Sequence, residues 1–154
     1  MFTANDQIRG LTLHTGNSVL ALGNGSKLGV ATAVATTFSI DGIAYSRAAA
    51  ATDLPLSADD AQGLLTKCLY LICSDAAGAI TSVKGTAVLT ADLVAGTKVL
   101  QWPTPLATTC VIGAVKIQTA STANFTPGTT ALDATNVTDT YYDLSSIPAA
   151  PLTS

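Results

Sequence analysis

The chain has 154 residues and a formal net charge of −3, with 11% charged and 48% hydrophobic residues. An average soluble protein has about 25% charged residues, so this chain has few groups that keep its copies apart. Its seven Lys and Arg residues are scattered singly, which argues against direct nucleic-acid binding. Since no apolar run could cross a bilayer and no signal peptide is visible, we expect no membrane insertion and synthesis in a cytoplasm.

The residue types predict an all-β protein. All ten acidic residues are Asp, and the long-chain helix formers Glu, Gln, Lys and Arg are rare or missing. Thr, Val, Ile, Gly, Ser and Asp dominate instead, and they favour pleated strands and the tight turns between them. We therefore expect at most one short helix.

Residues 1–25 are predicted to form an N-terminal arm or edge strands, because two short apolar segments flank Gly16 and Asn17. The clearest local signal follows, where two alternating runs at 37–40 and 43–46 flank Asp41-Gly42. An Asp-Gly pair between such runs predicts a type I′ hairpin.

A short helix is expected next, beginning at Ser57 as cap, with Asp59 and Asp60 in its first turn, and ending near Leu65. A second hairpin is predicted after it, with residues 68–73 as a buried strand, a turn at 75–78 and a return strand at 79–83.

Residues 85–100 are read as two more short β-rich stretches. The prolines beside Trp102 predict an extended crossover between sheets. Residues 110–117 predict another core strand, with a bulge or a close backbone approach at Gly113. From Ser121 onward we expect a loose segment with one last pairing stretch at Tyr141 and Tyr142.

Together these segments give about eight to ten short strands, the pattern of a β-sandwich or jelly roll. Residues 26–154 are expected to form this domain, with a loose C-terminal segment. The alternative is an open β-rich fold that is completed only by neighbouring subunits.

Few residues suggest chemistry. His14 has no second histidine with which to bind a metal. The three cysteines, Cys68, Cys73 and Cys110, lie in or beside apolar strands and are expected to pack in the core without disulfides. Cys68 and Cys73 should point to opposite faces of their strand. A Cys110–His14 nucleophile pair is a formal alternative.

Two further motifs have simple structural explanations. Asp59-Asp60 could serve acid–base chemistry or hold a cation, but a charged helix start explains the pair more simply. The run from Gly23 to Lys27 lacks the spacing of a phosphate-binding loop and is expected to be a turn. We therefore predict no catalytic residue, no cofactor and no metal.

The aromatic residues Trp102, Tyr141 and Tyr142 are the candidate contact residues. They could form an interface anchor or a sugar-binding platform, and packing in the core is an equally good explanation.

Several hairpin and turn segments resemble those of small virion proteins of tailed bacteriophages, namely capsid decoration, cement or head-fibre proteins. These segments are residues 37–45, 71–81, 84–87, 110–119, 125–134 and 137–141. The resemblance implies a β-rich homo-oligomer, commonly a trimer, on the outside of a capsid, where it contacts the major capsid protein or other virion proteins.

Three classes of function are compatible with the sequence. The first is a structural, non-enzymatic virion protein that works by repeated symmetric contacts. The second is a carbohydrate- or host-surface-binding module of a fibre or tail. The third is a small hydrolase that uses Cys110 or the Asp59-Asp60 pair.

Overall fold

The computed structural model describes residues 12–13, 20–23, 27, 29–32, 35–142 and 144, with 12–13 and 51–53 described by their backbone alone. These residues form eleven strands and one helix, α1 (Thr90–Val94). The strands are β1 (Thr12–Leu13), β2 (Leu20–Leu22), β3 (Gly29–Thr32), β4 (Thr36–Ile40), β5 (Ile43–Arg47), β6 (Ala50–Pro55), β7 (Thr66–Ser74), β8 (Ile80–Lys84), β9 (Val88–Leu89), β10 (Cys110–Thr119) and β11 (Val137–Tyr142). The all-β prediction is confirmed.

The strands of the described residues pair into three antiparallel sheets. The central sheet has five strands in the order β11-β10-β7-β8, with β9 also paired to β7. Two three-stranded sheets accompany it, in the orders β2-β3-β6 and β1-β4-β5. In the central sheet, β7 and β10 pair along almost their whole length, from Cys110 opposite Ser74 to Gln118 opposite Lys67.

Both predicted hairpins are present. Asp41 and Gly42 have φ values of 51° and 83°, and the two positive angles are those that a type I′ turn requires. The second hairpin joins β7 to β8, and the Asp75 carboxylate accepts hydrogen bonds from the backbone N–H groups of Ala77 and Ala79. Local turn chemistry therefore determines both connections.

The main core lies between the β2-β3-β6 sheet and one face of the central sheet, the layered arrangement of a β-sandwich. Leu20 and Val30 from the small sheet share this core with alternate residues of β7 and β10, such as Tyr70 and Val115. We call this face of the central sheet the inner face and the opposite one the outer face.

Gly113 allows the two layers to approach closely. The pairing of β10 with β7 shifts register between Val111 and Gly113, as expected for the predicted bulge or close backbone approach at Gly113. A Cβ atom built on Gly113 would lie 2.6 Å from Cδ1 of Leu20 and 3.0 Å from the carbonyl oxygen of Tyr142. Only glycine fits here without displacing a neighbour.

The β1-β4-β5 sheet covers the end of the central sheet where β10 begins. Phe38 and Ile40 of β4 pack with Cys110 in a separate buried cluster. The rings of Phe38 and Tyr45 stack across the hairpin with their centroids 6.0 Å apart.

The predicted helix from Ser57 to Leu65 is wrong. This segment is irregular because other parts of the chain bind its backbone: Gln62 pairs with Phe125, and the backbone N–H of Ser57 donates to the hydroxyl of Ser82. The helix of the described residues is α1 instead, in a stretch that we predicted to be β-rich. Asp92 lies in its first turn, and Gly96 follows it with a φ of 68°, which is a common helix ending.

The expectation of a loose segment after Ser121 is wrong for the described part of that segment, residues 121–142 and 144. Phe125 and Leu132 are completely buried in the main core. Beyond them, β11 pairs with β10 over six residues, and these include the predicted pairing stretch at Tyr141 and Tyr142. These long-range anchors hold a segment whose own sequence contains mainly turn residues.

The described parts of residues 1–25 contain β1 and β2, which are edge strands of the two smaller sheets. Gly16 and Asn17, on which the predicted bend depends, and His14 lie outside the described residues. In the described part of the chain, no helix has the length and apolar character needed to span a membrane.

Candidate functional site

Two of the three candidate aromatic residues meet on the outer face of the central sheet. The rings of Trp102 and Tyr142 make an edge-to-face contact, with centroids 6.1 Å apart and planes at 85°. The ammonium group of Lys116 lies 5.9 Å from the centroid of the Tyr142 ring, within the range of a cation–π interaction. Trp102 remains 40% exposed, so this cluster presents an indole to the surface.

The third aromatic, Tyr141, points to the opposite side of the sheet. Tyr141 pairs with Val115 and Tyr142 with Ala114, and neighbouring residues of a strand face opposite ways. Tyr141 packs against the main core. The surface cluster therefore contains Trp102 and Tyr142 but not Tyr141.

A groove of about 360 Å³ lies beside Trp102. Its walls come from the end of β8 with the residues after it and from residues 101–104, and Lys84, Thr86 and Gln101 are among its polar lining residues. An exposed indole at the edge of a polar groove is a geometry that can bind the ring of a sugar.

The cysteines are buried core residues, as predicted. None of the three thiols forms a disulfide. Cys68 lies in the main core, whereas Cys73 packs in a cluster on the outer face. Burial raises the pKa of the Cys68 thiol to about 11, although the nearby Lys84 opposes this shift. Burial also raises the pKa of Cys73, and a raised pKa makes a thiol less nucleophilic at neutral pH.

Asp59 and Asp60 lie at the surface, and both contact the ammonium group of Lys84. Lys84 Nζ lies 3.5 Å from the carboxylate of Asp59 and donates a hydrogen bond to the carbonyl oxygen of Asp60 over 2.6 Å. The pair therefore helps to hold the irregular segment against β8. Among the described residues, no group of three or more His, Cys, Asp or Glu side chains could hold a metal ion.

Of the predicted turn from Gly23 to Lys27, the structure describes only the two end residues. Lys27 has a structural role. Lys27 forms an ion pair with Asp133 over 2.5 Å, and its carbonyl oxygen accepts a hydrogen bond from the backbone of Leu132. These contacts connect the segment between β2 and β3 to the C-terminal part of the chain.

A buried polar network that the sequence did not reveal lies at the edge of the main core. The Tyr70 hydroxyl donates to the Gln62 side-chain oxygen over 3.2 Å. The Gln62 amide nitrogen donates to the carbonyl oxygens of Thr66 and Ile117 over 3.2 and 3.0 Å. Burial raises the pKa of Tyr70 above its usual range. Each polar atom of the Gln62 amide has a partner, so the network holds the segment before β7 in place.

The sequence also did not reveal an exposed apolar turn before β7. Leu64 and Leu65 form this turn and are 43% and 52% exposed. Leu89 of β9 is 49% exposed. It pairs with Thr66, the residue that follows the turn. The carbonyl oxygen of Leu65 accepts a hydrogen bond from the backbone N–H of Thr90. We call Leu64, Leu65 and Leu89 the leucine turn.

A second apolar feature lies at the other end of β7 and β10. Here a pocket of about 360 Å³ separates the tip of the β4-β5 hairpin from the loop before β10. Ile40, Leu106 and Val111 are among its apolar lining residues, and Ala107 and Thr108 lie at the surface. We call this the hairpin-end pocket. Ile43, 59% exposed, follows the same hairpin turn.

The fold defines the chain as an antiparallel all-β protein. In comparisons with known proteins, no family model, no curated protein and no solved structure matches it significantly.

Proposed function

We propose that the chain is a structural protein of a tailed-bacteriophage virion, which decorates or cements the capsid through repeated contacts with copies of itself and with the major capsid protein. It acts without catalysis and as a symmetric homo-oligomer, most simply a trimer. The proposal combines the resemblance of its hairpin segments to decoration, cement and head-fibre proteins with the apolar surface described above.

The observation that carries the proposal is the combination of apolar exposure and low charge. Eight large hydrophobic side chains are exposed among the described residues, and only 11% of the whole sequence is charged. Single exposed hydrophobic residues are ordinary, whereas adjacent ones mark contact surfaces. The leucine turn supplies three of them at the start of β7.

The proposed mechanism is mechanical. Each copy contributes a modest apolar contact, and a symmetric shell repeats that contact many times. Linked contacts of this kind bind far more tightly than any one of them alone, because the second contact forms at a high effective concentration. A chain with few charges adds little like-charge repulsion when its copies crowd together.

The test is to purify particles released by a bacterial strain that encodes the chain and to analyse the gradient fractions by mass spectrometry. We expect the chain to sediment with the major capsid protein at a fixed ratio. Particles from a deletion strain should release their DNA at a lower temperature, and added purified chain should restore their resistance. A chain found only at the top of the gradient contradicts the proposal.

Carbohydrate binding is the second candidate, and the position of Trp102 favours it. This residue is the one tryptophan of the sequence, and it lies beside the polar groove at β8. Titration of the purified protein with a panel of bacterial surface glycans should change tryptophan fluorescence if sugars stack there, and Trp102→Ala should abolish binding. Unchanged fluorescence, together with no glycan retained by the immobilised protein, excludes this candidate.

A further inference from the structure

The two apolar surface features lie at opposite ends of the same rigid sheet. Leu64 and Leu65 of the leucine turn come directly before Thr66, the first residue of β7, and Leu89 pairs with Thr66. The hairpin-end pocket lies beside the last residues of β7 and the first of β10. The nine residues of β7 are separated by eight intervals and cover roughly 26 Å at about 3.3 Å per residue. The turn and the pocket of one molecule therefore cannot meet each other.

The two features are complementary in shape and chemistry. The turn projects aliphatic side chains, and the pocket is a largely apolar concavity of about 360 Å³. That volume is more than twice the roughly 150 Å³ of a cavity that holds a benzene ring. The pocket therefore has room for the side chains of Leu64 and Leu65.

The backbone at the turn adds a second argument. Leu65 has a φ of 53°, a left-handed conformation that Gly and Asn adopt much more easily than Leu. A residue chosen for the turn alone would be small or polar. Leucine instead places an exposed apolar side chain at the tip, at a cost to the fold that a contact in the assembled state can offset.

We propose that the leucine turn of one copy inserts into the hairpin-end pocket of a second copy, so that molecules associate head to tail. Because the two surfaces differ, the contact is heterologous, and it gives a ring when the rotation closes. A stable interface buries about 800 Å² on each partner, so neighbouring residues such as Ile43 and Leu106 would contribute to it. The inference rests on the proposed structural role and names the contact between copies.

The experiment uses the full chain and three variants. Leu64→Ser combined with Leu65→Asn removes the apolar turn with residues that suit it, and Ala107→Arg places a bulky charge at the surface of the pocket without changing its buried residues. Val99→Ser is the matched control, because Val99 is 68% exposed and belongs to neither surface. Circular dichroism and thermal unfolding confirm that each variant is folded.

Native mass spectrometry and light scattering then measure assembly. We expect wild type and Val99→Ser to form the same oligomer, and the turn and pocket variants to bind themselves at least about tenfold more weakly. Mixing the turn variant with the pocket variant should give a 1:1 heterodimer that does not grow, because the mixture contains one intact turn and one intact pocket that can meet.

The other outcomes contradict the proposed contact between copies, and they show whether the proposed function fails with it. If the two variants assemble like wild type, or if their mixture gives no heterodimer, the contact is a different one. If wild type is monomeric at all concentrations but sediments with virions, the inference is wrong while the decorating role stands. A wild-type chain found neither in oligomers nor on particles contradicts both.

Discussion

Replacing Gly113 by Ala tests the close packing of β2 against β10. The added methyl group would meet Cδ1 of Leu20 at 2.6 Å, Cγ of Leu20 at 2.9 Å and the carbonyl oxygen of Tyr142 at 3.0 Å. Leu20 is 2% exposed, so it has little room to move. Overpacking of this kind costs about 1–3 kcal/mol.

The expected loss of stability is measurable. For a protein of this size, about 2 kcal/mol lowers the midpoint of thermal unfolding by roughly 4–8 °C. Urea and thermal unfolding, followed by circular dichroism at one fixed protein concentration, provide the assay. Gly63→Ala is the matched control, because the nearest atom to its new Cβ lies 4.0 Å away. We expect its free energy of unfolding to stay within about 0.5 kcal/mol of wild type.

A double-mutant cycle identifies the cause. Leu20→Ala alone should cost about 2–4 kcal/mol through the cavity that it leaves. Combined with Gly113→Ala, the total should fall short of the sum by about 1 kcal/mol or more, because the smaller side chain makes room for the methyl group. If Gly113→Ala is as stable as wild type, or if the two losses simply add, the close approach of β2 to the bulge of β10 is refuted.

Three further predictions concern single side chains. The folded pKa of the Cys68 thiol, about 11, lies above its unfolded value, so the free energy of unfolding should fall by about 2 kcal/mol as pH rises from about 9 to 11. Cys68→Ala should lose less stability over that range. Equal losses in the two proteins would contradict the raised pKa of Cys68. Leu65→Gly should raise the free energy of unfolding by about 1 kcal/mol, since glycine adopts the left-handed backbone conformation of this position more easily than leucine. A variant that is less stable than wild type in urea unfolding would contradict backbone strain at Leu65. Gln62→Ala should cost about 2–4 kcal/mol, because it removes the acceptor of the buried Tyr70 hydroxyl and the amide donor to the carbonyl oxygens of Thr66 and Ile117. A loss below about 0.5 kcal/mol in the same assay would mean that water replaces the amide.

Features that depend on neighbouring residues could be predicted from the sequence. The hairpin at Asp41-Gly42 and the turn after β7 follow from turn chemistry within a few positions of the chain. The bulge at Gly113 also has a local signal, a glycine inside an apolar strand. Alternation along β11 could have separated Tyr141 from Tyr142, since adjacent strand residues point to opposite faces.

Features that depend on distant residues could not be predicted. The segment after Ser57 has the composition of a helix start, but its pairing with Phe125 prevents a helix. Strand β6 was missed because its alanines have a weak strand propensity. The contact between Trp102 and Tyr142 joins residues 40 positions apart, and only the completed sheet brings them together.

The exposed position of the leucine turn could not be predicted from the sequence either. In the sequence, Leu64 and Leu65 are two apolar residues at the end of the predicted helix. In the fold both side chains are exposed, and long-range backbone hydrogen bonds to Ala120 and Thr90 hold Leu65 in the turn. Low charge predicted a contact surface, but a candidate position for it required the fold.

The most direct test of the central claim, that the chain works as a repeated structural part, is its mass in solution as a function of concentration. Sedimentation equilibrium of the purified wild-type chain from micromolar to millimolar concentrations should show the mass rising from 15.5 kDa to a fixed small multiple, with a trimer as the simplest result. A mass that stays at the monomer value over the entire range would contradict self-assembly.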